Sequence, residues 1–243
     1  MILKELYDFL DSNKEVRGVT TDSRFIKEGY IFLPKHGKNF LGNEFFVEAI
    51  TKGAIAIVYD EYIPNLVVPL IVVDDLDKEL KRLLNLIYRK PFENLKLIGV
   101  TGTDGKTSVS TISTYLLNHI SKAANIGTNG IFYNNQIYDN LFTTPILCEN
   151  YRLFTEFNKN NIKYASMEVS SEGIANHRID NILFDYAIFT NLSHEHLNTH
   201  KTMHNYFLTK LKLFKQLKKD GLMIINKDDY YAKCHPIKFK KVK

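Results

Sequence analysis

Apolar positions in residues 1–92 alternate between helical spacing and short continuous runs, a pattern typical of α/β domains. From Leu76 to Arg89 the leucines recur at helical spacing, which predicts an amphipathic helix that Pro91 ends. Helical spacing also occurs from Leu3 to Leu10 and from Glu44 to Lys52. The predicted strands are Val16–Val19, Tyr30–Leu33, Ala54–Tyr59 and Leu70–Val73.

The pattern after residue 92 predicts a second α/β unit. An apolar strand starts at Leu97 and leads into a glycine-rich turn, and a helical pattern follows. The apolar face of that helix, which we expect to be buried against the sheet, consists of Val109, Ile112, Leu116 and Ile120. Two adjacent asparagines, Asn134 and Asn135, predict a hairpin over Phe132–Tyr138. The other predicted elements are a helix over Ile146–Asn158 and strands over Ala123–Ile126, Tyr164–Val169 and Phe184–Asn191.

The short segment Lys90–Asn94 separates these two patterns, and we place a domain boundary there. We therefore expect an α/β protein with a small N-terminal α/β domain over residues 1–92 and a second domain, with a mainly parallel sheet, over 93–243. Open parallel sheets bind their ligands at the carboxyl ends of the strands. The polar residues at predicted strand ends, which we expect to face one cleft, are Thr101, Glu168, Ser170, Thr190 and Asn191.

Composition narrows the class of protein. With 243 residues, 44% of them apolar, the chain is long enough for one large or two ordinary domains. The net charge of +5 suits a ligand with phosphates or carboxylates, but the lysines are dispersed and we expect no nucleic-acid partner. Two distant cysteines outside any CxxC motif indicate a reduced, cytoplasmic protein. The acidic N-terminal segment and the lack of a long apolar run predict neither a signal peptide nor a membrane span.

The glycine-rich turn after the first strand of the second unit carries the clearest chemistry. Gly102 and Gly105 allow a sharp turn that brings backbone N–H groups against phosphate oxygens. Lys106 supplies a positive charge, and the hydroxyl of Thr107 or Ser108 can bind magnesium. Because an apolar strand precedes this turn and a helix follows it, we predict a P-loop ATPase-type domain that binds a nucleoside triphosphate. We call residues 102–105 the phosphate turn.

Glu168 is the candidate carboxylate for that magnesium because it closes an apolar strand of the same predicted sheet. The segment after it, Val169–Arg178, is rich in groups that can hold an anionic substrate. A competing interpretation comes from His194–His204, where an HxH spacing after a strand is typical of zinc sites and would suit a metallohydrolase. That interpretation leaves the phosphate turn without a role, so we favour magnesium bridged to nucleotide, with one histidine contributing.

Several short motifs follow one another along the chain. They are Thr21–Arg24 with Gly29–Phe32, Val100–Thr107, Thr143–Pro145, Met167–Ser171 with Arg178, Phe189–Ser193, His196–Leu197, Tyr206 with Lys210, and Asn226–Asp229. In these motifs, and in the short turn with Val100 where the general P-loop has glycine, the chain resembles the Mur ligases, ATP-dependent amide-bond-forming enzymes of peptidoglycan precursor synthesis. The Thr-Thr-Pro and Asp-Ser-Arg motifs favour the UDP-N-acetylmuramoyl-tripeptide synthetases, the MurE type, over the MurF type and the folylpolyglutamate synthases.

The resemblance implies a ligase that adds an amino acid to UDP-N-acetylmuramoyl-L-alanyl-D-glutamate through an acyl phosphate, with ATP and Mg²⁺. It implies that the ATP phosphates bind at Gly102, Thr103, Asp104, Gly105, Lys106, Thr107 and Ser108. The implied catalytic or magnesium positions are Lys106, Thr107, Glu168, His196 and Lys210, the last of these carbamylated. The implied substrate positions are Ser23, Lys38 and Asn39 at the uridine end, and Thr143, Thr144, Ser170, Asn176 and Arg178 at the muramoyl peptide.

The chain also departs from the family pattern. Asp104 stands where asparagine is usual, Glu172 replaces a histidine, and Asn198 replaces an aspartate. Family members have three domains, so we expect this central domain to be incomplete and the C-terminal ligase domain to be absent. We therefore expect little or no ligase activity from the chain on its own. We also expect a monomer. The alternative is a non-catalytic nucleotide-binding paralogue or fragment.

Overall fold

A computed structural model describes residues 1–37, 41–195 and 201–234. The chain divides into two compact units, Met1–Lys90 and Pro91–Lys243, and this division lies within the segment Lys90–Asn94. Each unit contains one sheet. Within the described ranges, no helix is long and apolar enough to cross a membrane.

The first unit is built on a parallel sheet with strand order β1-β2-β3-β4. Its elements are the strands β1 (Gly18–Thr20), β2 (Tyr30–Phe32), β3 (Ala54–Tyr59) and β4 (Leu70–Val72) and the helices α1 (Leu3–Leu6), α2 (Phe46–Thr51) and α3 (Leu76–Tyr88). Asp75 begins α3, because its carboxylate accepts the N–H of Lys78 at 2.9 Å. As the leucine spacing predicts, Leu80, Leu83 and Leu84 lie on the buried side of α3.

The helical spacing from Leu3 to Leu10 produces only the single turn of α1. Tyr7 ends this turn with an extended backbone, and its hydroxyl donates to the Glu79 carboxylate of α3 at 2.5 Å. Phe9 is 68% exposed, so the predicted apolar side is not buried at this position. The backbone leaves the helical conformation at Tyr7, the residue whose side chain contacts α3.

The second unit has a seven-stranded sheet in the order β11-β10-β5-β9-β6-β7-β8. Its strands are β5 (Lys96–Thr101), β6 (Ala123–Gly127), β7 (Gly130–Tyr133), β8 (Gln136–Tyr138), β9 (Tyr164–Glu168), β10 (Phe184–Phe189) and β11 (Leu217–Ile225). Its helices are α4 (Lys106–Asn118), α5 (Leu147–Lys159), α6 (Ser171–Ala175), α7 (Met203–Leu211) and α8 (Tyr230–Cys234). All pairs are parallel except β6–β7 and β7–β8, so the prediction of a mainly parallel sheet is confirmed.

The predicted hairpin is the pair β7–β8. Asn134 and Asn135 join the strands with φ values of 51° and 59°. Two successive positive φ values define the turn that fits the twist of a two-residue hairpin, and asparagine tolerates them better than most residues. The hairpin extends the sheet beyond β6 in the antiparallel direction.

The predicted buried face of α4 is wrong. Ile112 and Leu116 are each 58% exposed and Ile120 is 78% exposed, whereas Ser110 and Thr114 are buried. The hydroxyl of Thr114 donates to the backbone carbonyl of Ala124 in β6 at 3.2 Å. Small side chains on this side bring α4 close to the sheet. Of the predicted face only Val109 is half-buried, and Ile112, Leu116 and Ile120 lie on the outer side.

Candidate active site

The phosphate turn connects β5 to α4 at the carboxyl edge of the second sheet. Gly102 and Gly105 have φ values of 150° and 79°, a region that favours glycine. At Gly102 an added Cβ would lie 1.8 Å from the Thr190 hydroxyl, so no side chain fits there. The turn leads directly into α4, whose first N–H groups have no intrahelical acceptor and can donate hydrogen bonds to phosphate oxygens.

Two lysine side chains converge on one carbonyl of this turn. The Nζ of Lys210 donates to the Gly102 carbonyl at 2.6 Å, and the Nζ of Lys106 donates to the same carbonyl at 3.1 Å and to that of Thr103 at 2.6 Å. Burial lowers the pKa of both amines. For Lys210, burial and then the positive charge of Lys106 bring the pKa to about 7, so the amine is easily deprotonated at neutral pH.

The Glu168 carboxylate faces the turn from the end of β9 and is almost fully buried, with 1% exposure. Its Oε2 accepts the Thr107 hydroxyl at 2.8 Å, and its Oε1 accepts the backbone N–H of Thr128 at 2.8 Å. Gly127 gives it room, because a Cβ there would lie 2.1 Å from Oε1. Glu168 is thereby fixed beside the first turn of α4.

Arg178 forms the other wall of the site. Its guanidinium donates to the Thr144 carbonyl at 3.1 Å and lies 4.2 Å from the centre of the Phe142 ring. The Thr144 hydroxyl donates to the Glu168 carbonyl at 2.9 Å and accepts the Ser170 N–H at 3.0 Å. Thr144 is fully buried, so its side chain joins the arginine wall to the end of β9.

These groups surround one cavity of about 360 Å³. Its lining includes Lys106, Thr107, Thr143, Glu168, Ser170, Arg178 and Lys210 among the predicted site residues. Lysine and arginine groups can hold two anionic ligands, and the hydroxyl with the carboxylate can hold a cation between them. The cavity can therefore bring a phosphate group and a second anion together.

Other residues of the predicted turn lie outside this cavity. Thr103 is buried behind the turn, where its hydroxyl accepts the N–H of Ser193 at 3.0 Å. Asp104 is exposed, and its carboxylate accepts the Ser193 hydroxyl at 3.1 Å. Ser108 is exposed in the first turn of α4. The negative charge of Asp104 is thus held toward the segment after β10.

The remaining predicted residues are spread more widely. Asn176 is exposed where α6 ends and does not line the cavity. Ser23 belongs to the first unit, and its hydroxyl donates to the Glu48 carboxylate at 2.8 Å. Lys38, Asn39 and His196 lie outside the described residues.

The sequence interpretation missed Gly127 and Thr128, and it assigned Thr190 and Asn191 to the cleft. In the structure Thr190 and Asn191 bond to the backbone of the phosphate turn instead. The signal that could have found Gly127 and Thr128 is their position at the carboxyl end of β6, since every parallel strand ends at this edge.

The zinc interpretation gains no support from the described part of the chain. Among residues 1–37, 41–195 and 201–234, no three histidine, cysteine, aspartate or glutamate side chains are grouped so that they could hold a metal ion. His196 and His200 lie outside those ranges.

Comparisons with known proteins point to one family. The model of the Mur ligase middle domain matches residues 100–243, and that of the Mur ligase family catalytic domain matches residues 15–89. A UDP-N-acetylmuramoyl-L-alanyl-D-glutamate–2,6-diaminopimelate ligase of Fusobacterium nucleatum is 37% identical over 225 residues, which are 91% of this chain and 46% of that protein. The UDP-N-acetylmuramyl-tripeptide synthetase 2 of Oceanobacillus iheyensis is 37% identical over 237 residues, or 91% and 48% of the two chains.

Comparison with solved structures points to the same family. A UDP-N-acetylmuramoyl-L-alanyl-D-glutamate–2,6-diaminopimelate ligase superimposes with a TM-score of 0.71 at 26% identity, over 96% of this chain and 48% of the other. The MurF ligase of Thermotoga maritima shares the fold, with a TM-score of 0.61 at 22% identity over 90% and 48% of the chains. The chain spans about half the length of the relatives it matches. Because the middle-domain model alone matches more than half of its residues, the chain belongs to the Mur ligase family.

Proposed function

We propose that this chain is part of a MurE-type ligase, which uses ATP to join an amino acid to UDP-N-acetylmuramoyl-L-alanyl-D-glutamate in peptidoglycan precursor synthesis. The observation that carries the proposal is the single cavity in which the phosphate turn, a buried carboxylate and an arginine face one another. The names of the two relatives at 37% identity describe this substrate or its tripeptide product.

In the proposed reaction, a carboxylate oxygen of the substrate attacks the γ-phosphorus of ATP, and ADP leaves with the electrons of the broken P–O bond. The product is an acyl phosphate. The amine of the incoming amino acid attacks its carbonyl carbon, inorganic phosphate leaves, and the nitrogen loses a proton. The first step brings two anionic groups together, and the second develops negative charge on the attacked carbonyl oxygen and on the leaving phosphate. Positioning and charge neutralisation therefore supply most of the catalysis.

The cavity assigns these tasks to separate groups. Lys106 would exchange the carbonyls of Gly102 and Thr103 for the γ-phosphate, a stronger partner for an ammonium group. The guanidinium of Arg178, held in place by Phe142 and by the Thr144 carbonyl, would grip the substrate carboxylate with its planar fork. The two reacting anions would then meet between opposite walls of one cavity.

Thr107 and Glu168 suit magnesium, because a hydroxyl and a carboxylate in contact at 2.8 Å offer the oxygen ligands that this ion prefers. When bound, Mg²⁺ would supply positive charge against the phosphate oxygens. Because Lys106 lines the same cavity as Thr107 and Glu168, the ion would add to a positive charge that the chain itself provides.

Lys210 suits the carbamylation that the family resemblance implies. Its buried amine, with a pKa of about 7, is partly neutral at physiological pH and can attack the carbon of CO₂. The nitrogen then loses a proton, and the product is a carbamate with one negative charge. This change would replace a positively charged group beside the phosphate turn with an anionic oxygen ligand.

Calorimetric titration of the purified chain with ATP and MgCl₂ tests the proposal. We expect binding that Lys106→Met weakens at least tenfold, because the γ-phosphate loses its charged partner. Lys163→Met, which removes an exposed lysine of the same unit, is the matched control. Equal ATP binding by both variants, or none by the parent chain, would contradict the proposal.

The same protein, given UDP-N-acetylmuramoyl-L-alanyl-D-glutamate and 2,6-diaminopimelate, tests whether this chain completes the ligase reaction. We expect ATP binding with little or no release of phosphate. Sustained release would show ligase turnover by this chain and would exclude the non-catalytic alternative.

A further inference from the structure

The segment after β10 holds the phosphate turn through its backbone. The side-chain Oδ1 of Asn191 accepts the N–H of Asp104 at 2.9 Å, and its Nδ2 donates to the carbonyl of the same residue at 3.3 Å. The backbone carbonyl of Asn191 accepts the N–H of Thr103 at 2.9 Å. Asn191 therefore pairs with the turn as a neighbouring strand would, although no strand lies there.

Thr190 strengthens the same attachment. Its hydroxyl donates to the Asp104 carbonyl at 2.7 Å, and its N–H donates to the Thr101 carbonyl at 3.0 Å. The hydroxyl also occupies the space that a Cβ at Gly102 would need. The turn and Thr190 are thus packed so closely that no side chain fits at residue 102.

The clamp formed by Thr190 and Asn191 is itself anchored. The Asn226 side chain donates to the Thr190 carbonyl at 2.9 Å, and the Asp229 carboxylate accepts the N–H of Leu192 at 2.9 Å. These partners follow β11, the strand that pairs with β10. The position of the turn therefore depends on contacts from the segments that follow β10 and β11.

We propose that Thr190 and Asn191 are positioning residues that determine which backbone groups of the turn meet phosphate. They occupy the N–H groups of Thr103 and Asp104 and the carbonyl of Asp104, whereas the amides of 105–108 donate to no residue within the described ranges. The free amides are those at the start of α4, where the helix end also favours an anion. The inference rests on the proposed binding of ATP at this turn.

The clamp matters because glycines on both sides give the turn a wide choice of conformations. If the peptide groups at 103–104 rotated, the Asp104 carbonyl could face the phosphates and repel them. With the clamp formed, that carbonyl is bound to two donors from the segment after β10. Ser193 holds the Asp104 carboxylate by its hydroxyl in the same way.

A pair of substitutions at Thr190 tests the clamp. Thr190→Val removes the hydroxyl that binds Asp104, whereas Thr190→Ser keeps it. Tripolyphosphate with MgCl₂, titrated alongside ATP, reports binding at the turn without the adenosine. We expect Thr190→Val to weaken binding of both ligands about tenfold, the equivalent of about one neutral hydrogen bond, and Thr190→Ser to stay within about twofold of the parent chain.

Asn191→Leu removes both side-chain contacts with Asp104 at nearly constant volume, and we expect the same loss of affinity. Thr155→Val is the matched control, because its hydroxyl donates to a backbone carbonyl of α5 far from the turn in sequence. Hydrogen exchange of the peptide covering 102–105, measured without ligand, should accelerate in Thr190→Val and Asn191→Leu and stay unchanged in Thr155→Val. A purely structural role would lower the unfolding midpoint without this selective change.

The outcomes separate the clamp from the function on which it rests. If the parent chain binds neither ATP nor tripolyphosphate, the proposed function is overturned and the inference falls with it. If the parent chain binds them and Thr190→Val and Asn191→Leu bind them equally well, the clamp alone is overturned. A loss shared by Thr190→Ser would also contradict it, because that variant retains the hydroxyl.

Discussion

At the scale of single residues, Gly127 determines whether Glu168 can reach the phosphate turn. Gly127→Ala would place a methyl group 2.1 Å from the present position of Oε1 and push the carboxylate away from Thr107 and Thr128. We expect the magnesium-dependent gain in ATP affinity to fall about tenfold, since one charge-assisted contact is lost. Titration of ATP with and without MgCl₂ measures this gain.

Asn129→Ala, an exposed position two residues further along, is the matched control and should bind as the parent chain does. Unchanged magnesium dependence in Gly127→Ala would show that Glu168 does not hold the ion. Glu168→Gln, which keeps the size of the side chain but removes its charge, should reproduce the loss without a steric change.

Which site residues the sequence reveals depends on how local their contacts are. Lys106 and Thr107 belong to a contiguous motif, and the rule that ligands bind at strand ends finds Glu168. That rule also places Asn191 at the correct edge of the sheet. It does not predict the hydrogen bonds between Asn191 and Asp104, two residues that are 87 positions apart. A pattern of residue types carries no information on which of two neighbouring loops a side chain will bind.

At the scale of elements, α4 shows where periodicity misleads. Its apolar positions predict a buried face, yet the sheet contacts the side that carries Ser110 and Thr114. The phosphate turn fixes how α4 leaves β5, and the hydroxyl of Thr114 binds both the Ser110 carbonyl at 2.9 Å and the Ala124 carbonyl at 3.2 Å. Local hydrogen bonding and close approach therefore override the apolar pattern.

This orientation of α4 predicts that replacing an apolar residue of the helix lowers the free energy of unfolding less than replacing a polar one. Ile112→Lys should change the free energy of unfolding by less than about 0.5 kcal/mol, because the side chain is 58% exposed. Thr114→Val should cost about 1 kcal/mol, because two buried carbonyls lose a donor. Urea denaturation of both variants measures these values, and the reverse order would show that the apolar face is buried after all.

The strands β5, β10 and β11 are joined at their start by Asp185, which is 8% exposed. Its carboxylate accepts hydrogen bonds from the ammonium groups of Lys96 at 2.9 Å and Lys218 at 2.8 Å. It also accepts one from the backbone N–H of Leu97 at 3.0 Å. Burial alone would raise the pKa of the Asp185 carboxyl, but these donors outweigh it and hold the pKa below its usual range. The charged form therefore stabilises the folded chain.

The sign of this pKa shift sets the pH dependence. A lowered pKa gives stability that is present above the ordinary aspartate pKa of about 3.9 and disappears as the pH falls through the folded-state value. Asp185→Asn should thus cost about 2 kcal/mol at neutral pH and progressively less below about pH 4. Urea denaturation at several pH values measures the difference, with the exposed Asp220→Asn as control. A difference that does not vary with pH would contradict this assignment.

At the scale of the whole molecule, alternating patterns correctly indicate α/β architecture and most strands, but not their order in the sheet. β9 lies between β5 and β6, and β10 lies on the other side of β5. No local pattern encodes this order, because it depends on which side of β5 each connection crosses. The antiparallel hairpin could be predicted since its turn carries its own signal in Asn134 and Asn135.

Because each unit has its own sheet and its own buried residues, we expect the two units to respond separately to mutation and to ligand. Ile57 and Phe157 are fully buried, one in each unit, and replacing either with alanine should cost about 2–5 kcal/mol. Hydrogen exchange should accelerate in 1–90 for Ile57→Ala and in 91–243 for Phe157→Ala.

ATP with magnesium at 100 times its dissociation constant should add about 2.7 kcal/mol of protection, and only in 91–243, because the proposed phosphate site lies there. Equal changes in both units would show that they unfold as one cooperative body, whereas protection confined to 1–90 would place the nucleotide away from the turn.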